Sequence, residues 1–185
     1  MTDRTLPMGG TRLLDQYMEH FDFNEIHSIP IPATAEQIFP EIHNMDLNSS
    51  RVTRLLFSLR GFPSNDIRLE NMVTEGPFRI LDTIPDREIF IGLLTNAWIQ
   101  PTEIEDVDTF TGYGPKRGIK IGWNFSIQPD VHGCRLRTET RVQCFGPGVR
   151  ITFGLYWLGI RAFSGWIRME MLKAVKHQTL KLHHI

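Results

Sequence analysis

The stretch that decides the fold is IKIGWNFSIQPDVHGCRLRTETRVQC, residues 119–144. In its first half every second residue is apolar, and these residues are Ile119, Ile121, Trp123, Phe125 and Ile127. Successive side chains of a strand point to opposite faces of a sheet, so the pattern predicts a strand with one buried face. The turn formers of residues 129–133 follow, and an antiparallel partner strand is predicted directly after them.

The partner strand shows the same alternation. Its predicted inward residues are Leu136, Thr138, Thr140, Val142 and Cys144, and its predicted outward residues are Arg135, Arg137, Glu139, Arg141 and Gln143. The two strands together predict a sheet that is covered on one face and wet on the other. We therefore expect Glu139 and Arg141 to form a surface ion pair.

The predicted cover is a long amphipathic helix that runs from residue 149 toward the C-terminus. Its apolar stripe recurs at threes and fours over about seven turns, through Phe153, Tyr156, Ile160, Phe163, Ile167, Met171 and Ala174. The basic residues Arg161, Arg168, Lys173, Lys176 and Lys181 lie mainly off this stripe. Glycine disfavours a helix, so Gly154, Gly159 and Gly165 predict close approach to the sheet.

The rest of the chain predicts shorter elements. A helical turn is expected near residues 13–19, a strand at 21–31, a short helix that is capped by Thr34 and runs to Ile42, and a second helix from Ser49 or Ser50 to Leu59. Residues 62–77 are rich in turn formers and fit a helical turn over an opening. Strands are expected at 78–84, at 88–98 and, more briefly, at 107–111.

Composition limits the classes of function. The 185 residues fit one domain, which we expect to span 13–185 after a flexible tail at 1–12. The 20 Lys and Arg balance 21 Asp and Glu, so no overall field attracts nucleic acid or an anionic membrane. The longest apolar stretch, 151–160, is too short to span a bilayer. Cys134 and Cys144 lie too far apart along one strand to pair, which favours reduced thiols and a cytoplasmic protein.

The order of these elements resembles that of the START-like, helix-grip superfamily (SRPBCC), which includes the birch-pollen-allergen-like proteins and polyketide cyclases. The stretches that carry the resemblance are REIFIGL at 87–93 with Trp98, WNF at 123–125, TETRV at 138–142, YW at 156–157 and FSGWIR at 163–168. They look like a bacterial branch without assigned activity. The resemblance implies an α+β fold, in which a curved antiparallel sheet wraps around the C-terminal helix and encloses a cavity. It implies no catalytic signature.

The candidate ligand-binding residues are those predicted to face this cavity: Trp98, Trp123, Phe125, Thr138, Thr140, Phe153, Tyr156, Ile160 and Phe163. Large aromatic surfaces suit an apolar small molecule such as a lipid or a polyketide, and an inward threonine hydroxyl suits a polar group on it. The same residues also fit a filled core, in which the two threonines bond to a cross-strand group or to water.

Other chemistry has little support in the sequence. Histidine and cysteine do not occur at zinc-ligand spacing, and neither a phosphate-binding glycine loop nor a nucleophile elbow is present, so we expect neither metal nor cofactor. Three functions stay open: an apolar ligand carrier, a cyclase- or hydrolase-like enzyme with His27 or His43 as acid or base, and a partner- or membrane-surface module that uses the basic helix. A homodimer is also open.

Overall fold

The computed structural model describes residues 12–46, 68–96 and 100–183. In chain order its elements are α1 (Leu13–Tyr17), β1 (Phe23–Ile31), α2 (Ala35–His43), α3 (Leu69–Thr74), β2 (Arg79–Ile84), β3 (Glu88–Asn96), β4 (Gln100–Thr102), α4 (Val107–Gly112), β5 (Gly118–Asp130), β6 (Gly133–Phe145) and α5 (Pro147–His183).

The strands form one antiparallel sheet in the order β1-β6-β5-β3-β2, with β4 paired to β3 as well. The predicted hairpin is confirmed as β5 and β6, with Trp123 opposite Thr140 and Phe125 opposite Thr138. The strands extend into the predicted turn at 129–133, since β5 continues through Asp130 and β6 begins at Gly133. Gly133 has a φ of 126°, a backbone conformation that favours glycine.

Helix α5 covers one face of the sheet, called here the inner face, and its 37 residues confirm the predicted long helix. Ile167, Met171 and Val175 share a core with sheet residues such as Phe125 and Leu136. The predicted close approach of α5 to the sheet is found at Gly154, where an added Cβ would meet Phe23 at 3.4 Å, and at Gly165. The prediction is wrong at Gly159, where an added Cβ would meet nothing within 4 Å.

The opposite, outer face is exposed along β1, as at Ile26, but it is covered over β3, β5 and the middle of β6, which the prediction of a wet face did not foresee. A second core lies there, built from Leu13, Leu14, Met18, Phe90, Leu94, Ile104 and Phe110. Two glycines that pair across β3 and β5 make room for it. A Cβ on Gly122 would lie 2.8 Å from Met18 Sδ, and one on Gly92 would lie 2.8 Å from Phe110 Cδ2. Helices α1 and α4 therefore pack closely on this face.

Glu139 and Arg141 pair as predicted, at 2.8 Å, but the expectation of a surface pair is wrong. Their exposed fractions are only 1% and 6%, because α1 lies over them. Arg12 and Arg137 also donate to Glu139, and Arg141 donates to Asp15 and to the carbonyl of Met18. The pair thus belongs to a buried network that joins α1 to the sheet.

Three smaller expectations have different outcomes. Helix α2 is confirmed, and its capping box joins Thr34 and Gln37. Residues 107–111 form helix α4 rather than a strand, because Asp106 caps its first turn by accepting from the Thr109 N–H at 2.7 Å. The helix predicted from Ser49 or Ser50 to Leu59 lies outside the described residues.

The architecture is α+β, as predicted, and it agrees with the helix-grip arrangement that the resemblance implied. In the described part of the chain, no helix is both long enough and apolar enough to cross a membrane.

Candidate ligand cavity

A cavity of about 190 Å³ lies between α5 and the inner face of the sheet. The strands contribute Leu93, Ile121, Trp123, Thr140 and Val142, and Met72 and Phe78 close one side. Helix α5 contributes Phe153, Tyr156, Trp157, Ile160, Ser164, Ile167, Arg168 and Met171. The wall is therefore mainly apolar, with a few polar side chains that could orient an occupant.

Five of the nine residues predicted from the sequence lie in this wall: Trp123, Thr140, Phe153, Tyr156 and Ile160. Two strands and three successive turns of α5 bring them together. Contact of each residue with a ligand remains a prediction.

Three of the other four residues are not part of this wall. Phe125 is fully buried in the core beside Trp123, with ring centroids 5.1 Å apart. Thr138 has internal partners, because it accepts from Trp123 Nε1 and donates to the carbonyl of Asn124, both at 2.8 Å. Phe163 is 53% exposed and is not part of the wall. Trp98 lies outside the described residues.

Sequence reasoning missed Ser164 and Arg168 on α5. They follow Ile160 at four and eight positions, which places them on the cavity-facing side of the helix, where Phe163 was expected. Selecting the stripe by hydrophobicity favoured Phe163 over its polar neighbour. Strict helical spacing from Phe153 through Ile160 would have found Ser164.

Arg168 brings positive charge to the wall. Its guanidinium carbon lies over the Trp123 ring, 5.9 Å from the centroid, which is a favourable position for a cation above an aromatic face. The helical periodicity of α5 predicts that Arg168 lies mainly off its apolar stripe. The long apolar stem of Arg168 allows it to lie along the cavity instead.

Thr140 is a polar wall residue whose buried hydroxyl lacks a hydrogen-bond partner among the described residues. Its exposed fraction is 3%. A buried hydroxyl in this condition costs about 1 to 3 kcal/mol. Thr138, two residues earlier on the same face, shows that the sheet can satisfy such a group.

The two histidines considered as acid or base occupy different surroundings. His27 lies on β1, and its Nε2 is 2.9 Å from Glu25 Oε1. His43 ends α2 and stands edge-on to the Phe39 ring, away from the cavity wall. Only His27 thus approaches the region between β1 and α5.

Metal binding has no site among the described residues, which contain no group of three or more His, Cys, Asp or Glu side chains placed to hold an ion. Cys134 and Cys144 are both free thiols.

No family model matches the chain, and no curated protein matches it. Solved structures do. A protein from Mesorhizobium loti is 12% identical, with a TM-score of 0.41 over 86% of this chain and 97% of that one. A conserved protein from Geobacillus kaustophilus is 11% identical, with a TM-score of 0.43 over 86% and 96%. For Ara h 8.0201 the identity is 8% and the TM-score 0.37, over 86% and 98%. At such low values these likenesses say nothing about function.

Proposed function

We propose that this protein binds a small apolar molecule in the cavity between α5 and the sheet. The observation that carries the proposal is the cavity itself, whose wall is formed mainly by Ile121, Trp123, Phe153, Ile160, Met171 and other apolar residues. Small-molecule sites are typically clefts lined mainly by apolar side chains with a few polar groups, so this space is a candidate binding site.

The volume of the cavity limits how much of a ligand it can hold. An apolar cavity of about 150 Å³ is known to hold benzene, whereas pockets for drug-sized ligands begin at about 300 Å³. A volume of about 190 Å³ therefore fits one substituted ring, a short alkyl chain or one end of a longer molecule.

A catalytic role has less support. The described wall residues include neither Asp, Glu nor His, which are the usual general acids and bases, and the hydrogen-bonded Glu25 and His27 on β1 are not among them. The carrier function is thus favoured over a cyclase- or hydrolase-like activity.

The test is a titration with p-xylene followed by methyl NMR of Ile and Met side chains. Ile121 and Met171 should shift during the titration, because their side chains line the cavity. The absence of any shift up to the solubility limit of p-xylene would reject the proposal.

Two matched variants localise the binding. Ile160→Phe adds volume to the cavity wall and should weaken p-xylene binding at least about tenfold. Ile151→Phe makes the same change on the same helix at a residue that is 68% exposed, so binding should not change. Equal affinity of both variants would place the bound p-xylene outside this cavity.

A second candidate function is attachment to an anionic lipid surface, and a different part of α5 favours it. Ile151, Leu155 and Leu158 lie at spacings of four and three and are 68%, 68% and 77% exposed. Residues 147–168 contain Arg150, Arg161 and Arg168 and neither Asp nor Glu, although Arg150 pairs with Asp22 at 3.1 Å and Arg168 lies in the cavity wall. An exposed apolar stripe on a basic helix segment suits an interface rich in anionic lipids.

The expected basic half of the helix contributes less to this surface. Lys173 pairs with Glu170 at 3.0 Å, and Lys176 donates to the carbonyl of Pro30. At low salt the wild type should co-sediment with phosphatidylglycerol vesicles, whereas the Leu158→Asp variant should stay in the supernatant. A Leu158-dependent dimer in light scattering, without vesicle binding, would assign the stripe to self-association instead.

A further inference from the structure

A buried carboxylate lies on the inner face of the sheet, close to a residue of the cavity wall. Glu25 lies on β1, and its exposed fraction is 9%. One oxygen, Oε1, is 2.9 Å from His27 Nε2. The other, Oε2, is buried and has no hydrogen-bond partner in the described part of the chain. A buried carboxylate oxygen without a partner is costly, so its presence calls for an explanation.

The sheet sets Glu25, which is not itself one of the described wall residues, next to a residue that is. In the antiparallel pair of β1 and β6, Glu25 lies directly opposite Thr140. Side chains in directly opposite positions have Cβ atoms about 5 Å apart and share one face. The Thr140 hydroxyl is the other buried oxygen here that has no partner among the described residues, and Thr140 lines the cavity.

The helix approaches the same carboxylate from the opposite side. A Cβ added to Gly165 would lie 2.7 Å from Glu25 Oε1 and 3.2 Å from His27 Nε2. Ser164, the preceding residue, is buried in the cavity wall. Glu25 is therefore enclosed between β6 and α5, next to a wall residue on each.

We propose that Glu25 and Thr140 form a polar anchor for a neutral hydroxyl group carried on a small apolar ligand. The ligand hydroxyl donates to Glu25 Oε2 and accepts from the Thr140 hydroxyl, so both buried oxygens gain a partner. His27 holds the carboxylate in place through Oε1. The inference rests on the proposed function, since the apolar body of the ligand occupies the cavity.

Charge argues for a neutral group. A ligand carboxylate would be attracted by Arg168 but, if it took the place of the hydroxyl at the anchor, would be repelled by the Glu25 carboxylate, and a ligand cation would share the wall with Arg168. A phenol or an alcohol avoids both penalties and supplies the one donor that Glu25 lacks.

The test compares p-cresol and p-xylene, which differ only by a hydroxyl in place of a methyl group, with p-toluate as the charged analogue. Dissociation constants are measured for wild type, Thr140→Val and Glu25→Gln by the same methyl NMR titration. The quantity of interest is the ratio of the p-cresol affinity to the p-xylene affinity. Each variant should lower this ratio at least about tenfold while it retains p-xylene binding, and p-toluate should bind wild type more weakly than p-cresol does.

The matched control is Ser126→Ala. Ser126 also carries a buried hydroxyl without a partner among the described residues, but it does not line the cavity, so the ratio should equal that of wild type. Thr140→Val and Glu25→Gln each report independently, which keeps the test valid if one fails to fold.

The outcomes separate the two proposals. If p-xylene binds and the ratio is the same in all four proteins, the cavity function stands and the anchor is rejected, leaving an internal water as the partner of the two oxygens. If p-xylene does not bind wild type, the cavity function is rejected, and the anchor, which rests on it, is rejected as well.

Discussion

Glu25 on β1 lies directly opposite Thr140 on β6, and each side chain places a buried oxygen where the described residues offer no hydrogen-bond partner. The next pair on the same face of these two strands is His27 and Thr138, and there the threonine has both a donor and an acceptor. Two threonines on one strand and one face therefore differ in what they contribute to stability. Substitution by valine should therefore change stability in opposite directions at Thr140 and Thr138.

Thr140→Val should stabilise the protein by about 1 kcal/mol in urea unfolding, because it replaces an unsatisfied buried hydroxyl with a methyl group. Thr138→Val should destabilise it by roughly 1 to 3 kcal/mol, because Trp123 Nε1 and the carbonyl of Asn124 lose their partner. If both substitutions changed the free energy of unfolding in the same direction, the two hydroxyl groups would not differ as stated.

A second pair of substitutions tests the contact between α5 and the Glu25 carboxylate. Gly159→Ala should raise stability by about 0.5 to 1 kcal/mol, because alanine favours the helix and the new Cβ meets nothing within 4 Å. Gly165→Ala should lose this gain, because its Cβ displaces Glu25 and His27. Thermal unfolding of both variants measures the difference, and an equal gain at the two positions would mean that α5 does not approach Glu25 closely.

The buried network under α1 predicts a specific response to acid. Burial alone would raise the pKa of Glu139, but its hydrogen bonds and charge interactions with Arg141, Arg137 and Arg12 outweigh burial and lower it. A carboxyl whose pKa is lowered by folding contributes stability above its unfolded value of about 4.3, and this contribution is lost as the pH falls below that value.

Glu139→Gln should therefore cost roughly 3 kcal/mol at pH 7, and the difference from wild type should shrink in acid. Glu170→Gln is the control, because its partner Lys173 is exposed, and it should cost under about 1 kcal/mol. Glu88, whose pKa is raised by burial, gives a pH dependence of stability with the opposite sign. Wild type and both variants contain this residue. The measurement is urea unfolding between pH 3 and pH 7. A Glu139→Gln difference that is the same at every pH would contradict the prediction.

Cys144 should resist thiol reagents. Burial and the nearby Asp22 carboxylate raise its pKa to about 12, and Arg150 offsets this only in part. The thiolate is the reactive form, and a thiol with this pKa carries very little of it at pH 8. Burial and nearby carboxylates raise the pKa of Cys134 as well, but less than that of Cys144. Ellman's reagent should thus modify the folded protein at Cys134 before Cys144, and both thiols at similar rates in urea. Faster labelling of Cys144 in the folded protein would contradict the burial described here.

The fold was largely predictable because its main signals are periodic. Alternation in residues 119–127 and 136–144 and the stripe of α5 each repeat over many residues, so single exceptions do not obscure them. The outer core was not predictable in this way. Its signal is Gly92 and Gly122 in the middle of strands, and a glycine shows only that something approaches, not which element does.

The candidate site was predictable in part for a related reason. Hydrophobicity located Phe153, Tyr156 and Ile160, but it selected Phe163 over Ser164 and gave no reason to consider Glu25. The position of Glu25 depends on the register of β1 against β6, which pairs residues more than one hundred positions apart. Such a long-range pairing leaves no local pattern in the sequence.

A crystal structure of the protein soaked with bromobenzene tests the cavity most directly, because the anomalous signal of bromine marks the ligand without ambiguity. We predict one strong bromine site between α5 and the sheet, in van der Waals contact with Trp123, Ile160 and Met171. A cavity closed by these side chains, or bromine found only on the protein surface, would contradict the proposal that this space binds a ligand.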